Sequence, residues 1–173
     1  MGKAVIVGLI CCGISLALVV VSTAVPYWIR DKESDYVVFS GLWMECSKIG
    51  SEAICQEITG VPEYYLAVRA LVLMGLFMVA SANILGFVGI FMIRQRKSIT
   101  LFAGVISILA GMFMLTGAIV FAGRASYLAY DAVQFHVGFP LTLVAGVMGI
   151  VAGILFIRAR PSDENQSSSP LLH

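Results

Sequence analysis

Phe39-Ser40-Gly41-Leu42-Trp43-Met44-Glu45-Cys46, followed by Cys55, decides how this chain is read. The stretch lies in the only long polar interval between strongly apolar segments. Two cysteines this close in sequence, the first just after a tryptophan, have the form of a small module tied by a disulfide. The rest of the sequence determines which side of a membrane that module faces.

That a membrane is involved follows from composition. The 173 residues are 60% hydrophobic and 12% charged, with a mean hydropathy of +0.96. Soluble domains carry roughly 25% charged residues. Four uncharged runs, Ala4 to Val25, Ala70 to Ile93, Ser98 to Gly123 and Ala132 to Ile157, each reach the roughly 20 residues that a helix needs to cross hydrocarbon. Backbone groups cannot go unpaired in lipid, so each run is expected to form one helix. A net charge of +1 offers no case for nucleic acid as a partner. No zinc pattern, phosphate-binding glycine loop or paired-histidine motif is present. No cofactor, metal ligand or catalytic residue is therefore expected, and the chain does not read as an enzyme.

The basic residues give an orientation. Lys3 precedes the first span, Arg94, Arg96 and Lys97 fill the connection between the second and third, and Arg158 and Arg160 follow the fourth. All six fall on one side, which is expected to be cytoplasmic together with both termini. The loop 26–65 sets Arg30, Lys32 and Lys48 against Asp31, Glu33, Asp35, Glu45, Glu52, Glu57 and Glu63, a net charge of −4 on the outside. The expected organisation is a transmembrane domain over 1–160, with helices at about 4–25, 66–93, 98–123 and 136–157. A disordered cytoplasmic tail is expected over 161–173.

Taken in order, the first span follows Lys3 like a signal peptide, and Ser22-Thr23-Ala24 is small enough for cleavage. Its apolar run exceeds the 7–15 residues of a signal, which favours an uncleaved anchor. Ile6 stands where myristoylation at Gly2 prefers serine or threonine. Cys11 and Cys12 read as small packing residues, with palmitoylation the alternative. In the loop, Tyr36-Val37-Val38-Phe39 is strand-like, Gly41 to Cys46 is a pairing candidate, Lys48-Ile49-Gly50-Ser51 has turn character, and Ile54 to Ile58 supplies another strand. Arg69, about one turn into the second span, either snorkels to the interface or bonds carbonyls or a carboxylate of the loop above it. Trp43 is expected to be buried against the disulfide or the helix ends. Asn83 reads as an interhelical hydrogen-bonding residue. Gly104 and Gly111 lie a heptad apart, and Ala145, Gly149 and Gly153 form a small-residue ladder. Such faces let helices approach closely, within one bundle or between two copies. His136 is a lone histidine without a paired ligand. Asn165-Gln166-Ser167 is a glycosylation sequon on the wrong side of the membrane, Ser167 to Ser169 are candidate phosphorylation sites, and Pro170-Leu171-Leu172 faintly resembles a sorting signal.

Cys46 and Cys55 face the oxidising side on this topology, so a disulfide is expected, the alternative being two free thiols. The ordered set of Trp28, then Gly41-Leu42-Trp43, then Cys46 and Cys55, then Arg69 in Ala67-Val68-Arg69-Ala70-Leu71, resembles the signature of the claudin superfamily. That superfamily comprises claudins, peripheral myelin and epithelial membrane proteins, lens fibre intrinsic membrane protein and calcium-channel gamma subunits. The resemblance implies an all-α membrane protein, a left-handed four-helix transmembrane bundle with a small extracellular β-sheet, and a Cys46–Cys55 bridge. The short approach from Trp28 to Gly41 is more like the lens fibre and epithelial branch, whereas Gly41 to Cys46 is claudin-like in detail. The implied role is a structural adhesion protein of cell–cell contacts in the plasma membrane. It would associate with copies in the same bilayer and with an opposing cell, and form a barrier or a cation-favouring path, with Glu57 a candidate pore-lining charge. The alternative role is an auxiliary or trafficking partner of another membrane protein.

Overall fold

The computed structural model describes residues 3–32, 36–49, 52–91, 97–128 and 134–159. Four helices carry the chain back and forth: α1 (Lys3–Ala24), α2 (Glu63–Phe91), α3 (Lys97–Leu128) and α4 (Gly138–Arg158). Each is long and apolar enough to cross a membrane. Between α1 and α2 lie strands β1 (Ile29–Lys32), β2 (Tyr36–Ser40), β3 (Met44–Ile49) and β4 (Glu52–Glu57), and β5 (Gln134–Phe135) precedes α4. They form one antiparallel sheet in the order β4-β3-β2-β1-β5. The tail and the basic 92–96 connection lie outside the described residues.

Several elements differ from their sequence expectation. The second helix starts at Glu63, slightly before the expected 66, and the third runs on to Leu128, past the expected 123. Glu63 and Arg124 are polar, but polarity does not break a helix; it marks only where the helix leaves hydrocarbon. The fourth starts at Gly138, because Gln134 and Phe135 pair with β1. Pairing of the Gly41 region with β2 begins only at Glu45, opposite Ser40. Gly41 donates its N–H to the Met44 carbonyl at 2.9 Å, which closes a turn and pushes the strand downstream. Lys48 and Ile49 belong to β3, and residues 50–51 are not described.

In the bundle, α2 packs along α3, and α4 packs against both α1 and α3. The packing has a specific cause. Apart from Phe156, the inward face of α4 is built of small residues, including Gly138, Thr142, Ala145, Gly149 and Gly153, all buried. Their size leaves carbonyls open to hydroxyls from neighbouring helices. Ser15 of α1 donates to the Ala145 carbonyl, Ser22 of α1 to that of Gly138, and Ser107 of α3 to that of Gly149, each at 2.7 Å. In lipid the hydrophobic effect does not drive helices together, so close van der Waals packing and such hydrogen bonds hold the bundle.

The closeness differs along the ladder. A Cβ added at Gly153 would lie 2.5 Å from the Gly104 carbonyl oxygen and 3.0 Å from the Ile108 nitrogen. At Gly149 the nearest atoms are Ser15 Oγ at 3.3 Å and the Ser107 carbonyl oxygen at 3.4 Å. Alanine gains the same helix propensity at both sites. Gly153→Ala is therefore expected to lower the unfolding midpoint in detergent, by an overpacking cost of about 1–3 kcal/mol. Gly149→Ala should change it little, and equal effects would refute this packing account.

Candidate functional site: the sheet and its seat

Gly41, Leu42 and Trp43 form the turn between β2 and β3, and all three of their carbonyls are taken. Tyr65 donates its hydroxyl to the Gly41 carbonyl. Arg69 Nε donates to the Leu42 carbonyl at 2.7 Å. The Ile58 amide, just past β4, donates to the Trp43 carbonyl at 3.0 Å. Tyr65 and Arg69 are four residues apart on α2, so they rise from the same helix face. Leu42 is buried in the apolar core beneath.

Arg69 does more than hydrogen-bond. Its guanidinium lies over the ring of Trp43 at 4.9 Å and over that of Tyr65 at 5.2 Å. Trp43 therefore is not buried: it is 38% exposed and covers the arginine from the outside. An arginine stacked on an aromatic face hides its weakly hydrated plane while its edge still donates.

Gly41 must be a glycine for lack of room, since a Cβ there would fall 2.5 Å from Pro26 Cα. That approach brings the turn against the end of α1. Two residues on, Trp28 is fully buried and joins four elements. Its indole Nε1 donates to the Ser22 carbonyl of α1 at 2.8 Å. Its ring meets Phe121 of α3 edge-on at 5.0 Å. Its amide donates to the Ser40 carbonyl of β2, and its carbonyl accepts from the His136 amide, both at 2.9 Å. Gly138, at the start of α4, lies directly against the indole. His136 holds this seam through its backbone, while its ring packs near Tyr27 and Phe39.

Cys46 and Cys55 sit directly opposite each other in the β3–β4 register and are bridged. Cys11 and Cys12 are free thiols within α1. Beyond the bridge, β4 is exposed at all six positions. Glu57 ends this strand and, with Glu45, Ser47, Ile54, Gln56, Ile58 and Thr59, lines an open groove of about 260 Å³. Ala145, Gly149 and Gly153 lie elsewhere, inside the chain's own bundle. Among the described residues, no group of three or more His, Cys, Asp or Glu side chains could hold a metal ion.

Tyr65, Ser22 and Gly138 are site residues that sequence reasoning missed. Tyr65 carried a usable signal, its four-residue spacing from Arg69. Ser22 and Gly138 carried none, because they act through carbonyls or through absent side-chain volume.

These features define a class: a four-span membrane protein whose disulfide-tied sheet is seated on the bundle through a Gly-Leu-Trp turn. A family model described as PMP-22/EMP/MP20/Claudin matches residues 1–156, and the chain belongs to this family. Lens fiber membrane intrinsic protein of Rattus norvegicus is 26% identical over 160 residues, which cover 88% of each chain; its Mus musculus counterpart matches equally. Voltage-dependent calcium channel gamma-3 subunit of Rattus norvegicus is 28% identical over 165 residues, or 82% of this chain and 52% of that protein.

The seat yields a graded expectation. A hydrogen bond from a charged donor contributes about 1.5–3 kcal/mol, so Arg69→Ala should lower stability by about 2 kcal/mol in detergent unfolding. Arg69→Lys should recover less than half of this, because an ammonium lacks the planar fork. An alanine variant as stable as wild type would rule the seat out.

Proposed function

We propose that this protein is a structural component of cell–cell contacts in the plasma membrane, with the sheet extracellular and both termini cytoplasmic. The carrying observation is the way the β3–β4 hairpin is presented. Its root is fixed by three carbonyls, two bonded to α2 and the third to the Ile58 amide, while β4 projects as a fully exposed edge strand. A fixed root with a free edge suits a surface that meets another surface, since exposed strand edges are ready pairing templates. The orientation is supported by Lys3, Lys97 and Arg158, which stand at helix ends away from the sheet. Copies associate laterally in one membrane and oppose copies on the next cell.

In this role the excess acid of the loop favours cations along the contact, and Glu57 and Glu45 on the groove contribute to it. Epithelial monolayers expressing the chain should show a cation-favouring dilution potential, and Glu57→Gln should reduce that preference. An unchanged potential would remove Glu57 from the path. If the protein does not collect at contacts in cells lacking other junction proteins, the contact role itself fails.

The likeness to a calcium channel gamma-3 subunit supports a second reading, an auxiliary partner of another membrane protein. Stoichiometric co-purification of a channel or receptor from native membranes would favour it over the first.

A further inference from the structure

Among the described residues, the bonded serine and threonine hydroxyls inside the four spans fall into two groups. Ser15, Ser22 and Ser107 donate to carbonyls of a neighbouring helix. Ser81 and Thr116 donate to carbonyls one turn back in their own helix, at 2.8 Å each. A hydroxyl is satisfied by either arrangement. Asn83 of α2 joins the second group through its donor, but that satisfies only half of its carboxamide. Its Nδ2 donates to the Val79 carbonyl of its own helix at 3.3 Å, and its carboxamide oxygen has no hydrogen-bond donor among the described residues. In a helix interior each bonded carbonyl keeps a second lone pair but every N–H is already used, so the backbone of α2 cannot supply the missing donor. Water is absent at this depth, and an unmet carboxamide in hydrocarbon is costly.

The amide is also reachable. Asn83 is half-buried and faces Gly13, midway along α1. A Cβ at Gly13 would find Asn83 Oδ1 at 3.9 Å and nothing else within 4 Å, so the α1–α2 seam is open there. Ile10 and Ile14 beside it on α1, and Ile84 on α2, are exposed apolar flanks.

We infer that this seam is a lateral interface that receives a second copy of the chain, the two Asn83 carboxamides pairing across a two-fold axis along the membrane normal. Two arguments select this occupant. A carboxamide carries both a donor and an acceptor, so two of them related by a two-fold axis satisfy each other reciprocally. Copies inserted in the same direction also hold Asn83 at the same depth, whereas an unrelated helix would need a polar group at that level. The inference rests on the lateral association proposed above and gives it an address.

The test uses the purified full chain, fluorescently labelled, in phosphatidylcholine vesicles, with energy transfer followed as lipid dilutes the protein. Wild type should dimerise. Asn83→Leu should raise the dissociation constant roughly 3- to 30-fold, the range measured for intramembrane polar contacts. Asn83→Gln, which keeps the carboxamide, should recover most of the loss. Gly13→Leu fills the seam from the other helix and should also block dimerisation, which covers the case of a poorly folded Asn83 variant. Wild type that stays monomeric at every dilution would overturn the inference, as would Asn83→Leu and Gly13→Leu variants that dimerise like wild type. So would a photo-cross-linker at position 83 capturing a different membrane protein, and not a second copy, from native membranes. Failure here would leave the sheet-mediated contact role standing. Intact dimers in cells that form no contacts would do the reverse.

Discussion

The Gly41-Leu42-Trp43 turn gives up three consecutive carbonyls, and the rest of the structure is arranged to receive them. A turn pressed against helix ends cannot leave its carbonyls to water, so each needs an internal donor. Tyr65 and Arg69 on α2 and the Ile58 amide supply them. This explains why a small sheet with little core of its own stands upright on a bundle. The Cys46–Cys55 bridge, one strand over, ties β3 to β4 and limits the disorder available to the unfolded loop. On the other flank Trp28 performs the corresponding task for β1, with bonds or packing into α1, α3, β2 and the chain entering α4.

The same economy of polar groups governs the bundle. Small residues on α4 open its backbone, and serines from α1 and α3 close it again. Sheet and bundle thus share one device: a close approach exposes a carbonyl, and a neighbouring side chain satisfies it. Asn83 is the exception, because a carboxamide needs a donor that its own helix does not offer.

The four spans were legible because lipid forces long uninterrupted apolar runs. Arg69 was legible as a single cation just inside a span, with polar chain overhead. Its partner Tyr65 was marked only by its four-residue spacing from Arg69, since a tyrosine near a membrane interface is by itself ordinary. Strands β1 and β5, of four and two residues, carry no usable alternation, and they pair across about a hundred positions. Their extended form is imposed by the Trp28 backbone bonds, which local sequence does not encode. The exposure of Trp43 was hidden for a related reason: tryptophans are usually read as core, and only the guanidinium beneath it reveals a cover. Helix ends were misjudged where charge marked the membrane boundary and not the last helical hydrogen bond.

The central claim is that turn, sheet and bundle form one cooperative unit, held at Gly41 to Trp43. Hydrogen exchange on the full chain in lipid nanodiscs tests it directly, by following the amides of Trp28, Gly41, Ile58 and His136 in wild type and in a Tyr65→Phe, Arg69→Ala double variant. All four are bonded where sheet meets bundle. The account predicts slow exchange at all four in wild type and a joint acceleration in the variant. Amides that exchange freely in wild type, or Trp28 and His136 staying slow while only Gly41 and Ile58 accelerate, would contradict it.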